Sequence, residues 1–356
     1  MLLQRSLRQL PSQARRCYSA VQTENLLKRL AQNAELDEKE ARAELRWITQ
    51  NVEDRLSKGI PSVAARRTDF LAPEALAEAR DESVQEAVER RAAGEPLQYV
   101  LGTTDFGPLT LLCRAPTLIP RPETAHLTTL LAQRILHANP TSDYDPLHIL
   151  DLCTGSIPIP LLLSHHLDRY TRKILCVDSS PQAIALSLEN LALYPAYYEK
   201  IRFRNIDLFS PRAVASLHPG RGRKYHLITC NPPYISLEDY ERLPASVKRY
   251  EDPRALLGDP DDSPLAGKLG YDGKGLAFYR RIASMLPDLL QEETIMQTIG
   301  WGGIPRVMFE IGENQADDVK AILLAASGKD KERTIKRVEV WKDQFGKDRG
   351  VVGWTT

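Results

Sequence analysis

One pattern dominates residues 147–312, a short apolar run followed by a gap. The runs are LHILDLC (147–153), KILCVDSS (173–180), IRFRNIDLF (201–209), YHLITC (225–230) and RVMFEIG (306–312), and most of the gaps can hold a helix. Strands that alternate with helices predict a parallel, doubly wound α/β sheet, which gathers its chemistry at the carboxyl ends of the strands. IKRVEVWKD and RGVVGW, near the end of the chain, predict two further antiparallel strands. From about Val21 to Glu95 the apolar residues recur every three or four positions, as in KEARAELRWITQNVEDRL, and predict a small helical bundle. Asp37 with Glu40 three residues on predicts a capping box for one of its helices. Between the two regimes, Leu97 to Thr124 mixes alternation with turn residues and predicts a β-hairpin linker. DPDDSPLAGKLGYDGKG (259–275) has loop composition.

The 47 basic residues are balanced by 47 acidic ones, so the chain has no overall field that would favour nucleic acid or an anionic membrane. It contains no apolar run of membrane-spanning length. Cys17, Cys113, Cys153, Cys176 and Cys230 are odd in number, scattered and without a Cys-x-x-Cys, which argues against a disulfide framework and gives no support to a metal site. The first 20 residues, MLLQRSLRQLPSQARRCYSA, carry Arg5, Arg8, Arg15 and Arg16, and no acid precedes Glu24. That composition predicts a mitochondrial or plastid presequence, and Arg16-Cys17-Tyr18-Ser19, which resembles the cleavage sites of matrix presequences, points to the mitochondrial matrix.

Four strand ends carry the candidate chemistry. The first run ends in Asp151-Leu152-Cys153-Thr154-Gly155-Ser156, a tight small-residue turn of the kind that cradles a cofactor before a helix. The second ends in Asp178, placed to hold the two hydroxyls of a ribose or to cap the helix beginning near Pro181; Ser179 or Ser180 could take the cap instead. The third ends near Asp207, either an acceptor for an adenine amine or a solvated turn residue. The fourth ends in Asn231-Pro232-Pro233-Tyr234, where two prolines force the segment out of its sheet. All four ends face one crevice in a doubly wound sheet.

With these residues in view, the chain resembles the HemK/PrmC family of protein-(glutamine-N5) methyltransferases, which modify peptide-chain release factors. The resemblance rests on PLQYVLG (96–102) with Phe106, LIPRPET (118–124), the Asp151–Ser156 turn, NPPYI (231–235), Arg249-Tyr250-Glu251, Gly275-Leu276 with FYRRI (278–282), FEIGENQ (309–315) and KDQFGKDR (342–349), in that order. It implies a seven-stranded Rossmann-like fold of S-adenosylmethionine-dependent methyltransferases. A presequence (1–20), a helical substrate-binding domain (21–96) and a β-hairpin linker (97–123) would precede a catalytic domain (124–356). S-adenosylmethionine would lie against Asp151, Cys153, Thr154, Gly155, Ser156, Ile157, Asp178, Asp207, Leu208 and Asn231. The substrate would be the glutamine of the Gly-Gly-Gln loop of a mitochondrial class I release factor, bound by a monomer with no role for membrane or nucleic acid.

An amide nitrogen is a poor nucleophile and must be held in line with the methyl group. Asn231 Oδ1 and the Pro232 carbonyl are the expected acceptors for its two N–H groups, Tyr234 the expected stacking surface, and Phe106 an expected wall of the substrate pocket. Arg121 and Glu123 are expected to hold the linker to the catalytic domain. Where the family's cofactor turn is glycine-rich, Cys153 stands at its first glycine and Ile157 at its third, and Gln291–Gly303 reads as an insertion. Two other readings accommodate the same motifs: amino methylation of a nucleic-acid base of the adenine-N6 type, and an inactive binding protein of mitochondrial translation.

Overall fold

The computed structural model describes residues 20–32, 36–58, 73–138, 146–218, 224–259, 272–327 and 334–356. Residues 1–19 of the expected presequence and most of the 259–275 loop lie outside these. The chain forms two compact units, residues 1–102 with 244–250, and residues 103–243 with 251–356.

In the first unit, helices α1 (Ala20–Leu30), α2 (Glu38–Ser57) and α3 (Pro73–Ala92) are followed by the short α4 (Leu97–Leu101). The capping box at the start of α2 is present: Glu40 N–H donates to Asp37 Oδ1 at 2.7 Å, and Asp37 N–H donates to Glu40 Oε2 at 2.9 Å. Ala41, Leu45, Ile48 and Val52 form one stripe of α2 and meet Val84 and Val88 of α3 in a common core. Within this unit Arg91 and Glu44 form a buried pair, Nε to Oε2 at 2.7 Å and Nη2 to Oε1 at 3.1 Å. α4 corrects the expectation of a hairpin beginning at residue 97. Its five residues bury Tyr99 and Val100 and stop at Gly102, whose φ of 76° ends the helix.

In the second unit the hairpin itself is β1 (Thr103–Phe106) with β2 (Leu109–Leu112), and α5 (Pro122–His137) follows. The main sheet contains β3 (Leu147–Leu152), β4 (Thr171–Asp178), β5 (Ile201–Asn205), β6 (Leu227–Cys230), β7 (Val307–Glu310), β8 (Arg337–Lys342) and β9 (Asp348–Trp354). Their order is β5-β4-β3-β6-β7-β9-β8. The first five strands in sequence are parallel, whereas β9 runs antiparallel to both β7 and β8. This is the seven-stranded Rossmann-like arrangement that the family resemblance implied, built on the doubly wound sheet that the sequence pattern predicted. β3, β6 and β7 are buried along their whole length because helices cover both faces. Leu147 and Ile149 of β3 enter one core, and Leu150 and Leu152 enter the other. Residues 291–303 are built into the fold, with Met296 and Trp301 fully buried.

From β3 the chain adds β4 and β5 to one side, then crosses back to add β6 and β7 to the other. The strand order therefore reverses between β3 and β6, and a crevice opens at their carboxyl ends.

Candidate active site

The turn after β3 is held from below. Asp151 is 1% exposed and takes hydroxyl hydrogen bonds from Thr154 and, on β6, Thr229, each at 2.6 Å. Burial pushes its carboxyl up to about 7. Above it Cys153, Gly155 and Ile157 have φ of 54°, 56° and 61°, three left-handed residues in alternation. Helix α7 (Pro181–Ala192) fixes the turn, Ser187 Oγ donating to the Gly155 carbonyl at 2.6 Å and Asn190 Nδ2 to the Ser156 carbonyl at 3.2 Å. Ile157 is the N-cap of α6 (Pro158–His166) and its side chain is wholly buried in the core.

Asp178 is tied to the same turn. Its Oδ2 accepts the Gly155 N–H at 2.8 Å and its Oδ1 accepts the Ser180 N–H at 2.9 Å. Burial raises its pKa against the pull of these backbone donors. Ser180 caps α7, accepting from Ala183 N–H at 3.3 Å, so Asp178 is not spent on the cap. β5 stops at Asn205, two residues short of Asp207. Asp207 is exposed, and its Oδ1 takes the Phe209 N–H at 2.9 Å. Leu208 is buried beside it, and Phe209 packs edge-on against Phe278 with ring centroids 4.9 Å apart.

Asn231 follows directly on β6. Its Nδ2 donates to Thr124 Oγ1 at 3.4 Å. Pro232 and Pro233 are buried and Tyr234 is half-buried. Among the described residues no hydrogen bond falls on the Pro232 carbonyl. The Tyr234 carbonyl is held by Gln315 Nε2 at 2.9 Å, and its ring lies close against Gly312. Gly275, at φ 72°, approaches so closely that a Cβ would stand 2.2 Å from the Tyr234 carbonyl oxygen. Burial, with Glu310 nearby, raises the Tyr234 phenol, which stays neutral. Arg121 pairs with the fully buried Glu251 at 2.7 and 2.9 Å, and Glu251 also accepts the Ile119 N–H at 3.3 Å. The charge of Glu123 acts on Glu310 and Tyr234.

The crevice is open to solvent, and its empty space together with its open mouth comes to about 780 Å³. Of the residues expected in the site, Cys153, Gly155, Asp178, Asp207, Leu208, Asn231 and Pro233 line it. Asp151, Thr154, Ser156 and Ile157 stand behind it as structural supports, and Pro232 and Tyr234 lie beyond its lining. Phe106 requires correction. Only 1% exposed, it belongs to the core with Leu109 and Leu111, because the hairpin turns this end of β1 inward. The sequence reading missed Thr117, Leu118, Asp252, Arg254 and Phe278, which also line it. Phe278 and Leu118 belong to runs already singled out, FYRRI and LIPRPET. Asp252 and Arg254 reach the crevice through a hydrogen bond from Asp252 N–H to the Pro116 carbonyl at 2.8 Å, which leaves no mark in sequence.

These residues fit S-adenosylmethionine. Three carboxylates (Asp178, Asp207, Asp252) face one guanidinium, Arg254, itself bound to Asp252 at 2.8 Å. The excess negative charge suits a cofactor carrying a sulfonium and an ammonium against one carboxylate. Leu208 and Phe278 supply an apolar wall for a purine, and Asp178 stands where a ribose would hydrogen-bond.

The chain is similar to several known proteins. Residues 64–102 match the PrmC N-terminal domain. The release factor glutamine methyltransferase of Bacillus cereus is 33% identical over 278 residues, 78% of this chain and 83% of its own length. That of Streptococcus pneumoniae is 31% identical over 288 residues, 80% of this chain and 85% of its own. The crystal structure of a release factor-specific protein-(glutamine-N5) methyltransferase from Alicyclobacillus acidocaldarius is similar over 66% of this chain and 93% of its own, with 23% identity and a TM-score of 0.33. With its acidic crevice at the β3/β6 switch point, lined by Asn231 and Pro233, the chain belongs to the HemK/PrmC family of release factor glutamine methyltransferases.

Proposed function

We propose that the chain transfers the methyl group of S-adenosylmethionine to the side-chain nitrogen of the glutamine in a release factor's Gly-Gly-Gln loop, and that the factor is the mitochondrial class I one. The observation that carries the reading is the shared crevice, which Gly155 and Asp178 line together with Asn231 and Pro233. When bound, the cofactor supplies an electrophilic methyl group, so the protein's task is placement. Asn231 Oδ1 faces away from Thr124, to which the amide nitrogen donates, and accepts one N–H of the glutamine. The Pro232 carbonyl accepts the other. Two acceptors hold the nitrogen and favour the positive charge that grows on it as its lone pair forms the new N–C bond. The Tyr234 ring, neutral and braced by Gly312, packs on the planar amide. The surplus proton leaves to water after transfer, so no strong base is required. The helical unit is read as a grip on the release factor. The mitochondrial assignment rests on the arginine-rich, acid-free segment before Glu24.

The full chain, labelled S-adenosylmethionine and a mitochondrial release factor test this directly. Label is expected on the factor, but not on a copy whose Gly-Gly-Gln glutamine is alanine, and not with Asn231→Ala enzyme that still binds the donor. Label on both copies would refute the target, and undiminished label with Asn231→Ala would refute the mechanism. Import into isolated mitochondria should fail when Arg5, Arg8, Arg15 and Arg16 are all glutamine; unchanged import would remove the mitochondrial assignment.

A further inference from the structure

An asparagine that must present an acceptor is ambiguous by itself. Its amide has nearly the same shape in either orientation, and the flipped form would turn two N–H groups towards the substrate's own N–H groups. Something on the far side of Asn231 has to choose. Thr124 Oγ1 stands there, 3.4 Å from Nδ2. A hydroxyl can donate or accept, so it decides nothing until its own proton is committed. That proton goes to Glu310 Oε2 at 2.6 Å.

Both partners are 2% exposed, which shields the link from solvent. The fold puts them there for separate reasons. β6 and β7 are paired in a register that sets Cys230 against Phe309, so Asn231 and Glu310 leave neighbouring strands at one level. Thr124 lies in the first turn of α5, its carbonyl taken by Thr128 Oγ1 at 2.7 Å.

We infer that Thr124 and Glu310 are positioning residues for Asn231, fixing its amide so that Oδ1 faces the substrate nitrogen. The inference rests on the function proposed above. It adds a dependence on protonation. Around Glu310 stand Arg349 from β9, Arg121 and Glu123 at the start of α5, and Tyr234, while Tyr279 donates to its backbone carbonyl at 2.9 Å. Burial dominates and pushes the carboxyl up to about 7. Ionised, Glu310 can only accept, so the Thr124 proton stays on it. Protonated, Glu310 offers a proton to Thr124, whose hydroxyl is then released to turn towards Asn231. Turnover should therefore rise as pH increases through about 7.

The test uses the full chain with donor and release factor. Thr124→Val should lower kcat by about 10- to 100-fold, the scale of a misplaced reacting group, while the donor Kd is unchanged. Thr124→Ser, which keeps the hydroxyl, should restore most of the rate. The acidic limb of the kcat profile should vanish in Glu310→Gln. Normal kcat in Thr124→Val, or an acidic limb that survives in Glu310→Gln, would each overturn the inference. If the unaltered chain labels no release factor, the proposed function fails rather than this link. The link is then read from the Asn231 side-chain NH₂ signal in ¹⁵N-asparagine-labelled protein. Protection from exchange that is lost in Thr124→Val sustains it, and protection unchanged by that substitution overturns it.

Discussion

Ile157 occupies a position where the family resemblance leads one to expect glycine, and the structure says what that costs. Its φ and ψ are 61° and 34°, the left-handed region, where an L side chain is strained by about 1–2 kcal/mol. Against this, the side chain is fully buried in the core that includes Leu161 and Leu127. Removing a buried isoleucine side chain to alanine costs about 2–5 kcal/mol. Ile157→Ala loses that packing and keeps the strain. Ile157→Gly loses slightly more packing but escapes the strain, so it should be the more stable of the two by about 1 kcal/mol. At an ordinary position the order is reversed, alanine being better than glycine by about 0.5–1 kcal/mol. Both variants should still be less stable than the native chain. Urea unfolding followed by circular dichroism, with equal m-values, reads these differences. An alanine variant as stable as the glycine variant would show that no left-handed strain is present. Donor affinity should barely change, since the crevice is lined by Gly155 and not by Ile157. Markedly tighter binding in Ile157→Gly would mean that the isoleucine distorts the cradle after all.

Three other perturbations have determined signs. Gly275→Ala should destabilise the protein by more than about 2 kcal/mol and depress kcat, because left-handed strain is joined by a backbone clash at Tyr234; full activity and stability would show that the loop simply moves aside. Arg121→Ala should cost about 3 kcal/mol by stranding the buried Glu251 carboxylate, the lower end of the range because Arg121 is one-third exposed. Adding Glu251→Gln should recover most of that loss in a denaturant titration, and no recovery would assign the loss to packing. Asp151 titrates at about 3.9 unfolded and is pushed up to about 7 in the fold, so the folded state holds its proton more tightly. The stability this gives is complete below about pH 4 and is lost as pH rises to about 7, a few kcal/mol in all. Asp151→Asn should flatten the decline in unfolding free energy between pH 4 and 7, and an unaltered slope would place the raised pKa elsewhere.

The strands were legible because five apolar runs separated by helical gaps allow few arrangements, and the capping box because its two partners lie three residues apart. The switch point followed from strand order, and with it the meeting of Gly155, Asp178, Asp207 and Asn231. What sequence did not show was which way each side chain points once its strand has ended. An acid at a strand end reads equally as ligand or brace. Asp178 lines the crevice and Asp151 is buried beneath it, and the difference lies in hydroxyls from Thr154 and Thr229 that claim Asp151 from inside. Glycine announces left-handed backbone, whereas Cys153 and Ile157 adopt it without any such mark. Phe106 read as a pocket wall because its position in the motif was visible and the inward turn of its hairpin was not. The same holds for Asn231, whose chemistry depends on an orientation. Its partners Thr124 and Glu310 lie 107 residues before it and one strand further along the sheet, within motifs that sequence could recognise but not connect. Sequence order thus locates the reacting groups, while long-range contacts that only the folded chain makes determine whether they are presented as donor or acceptor.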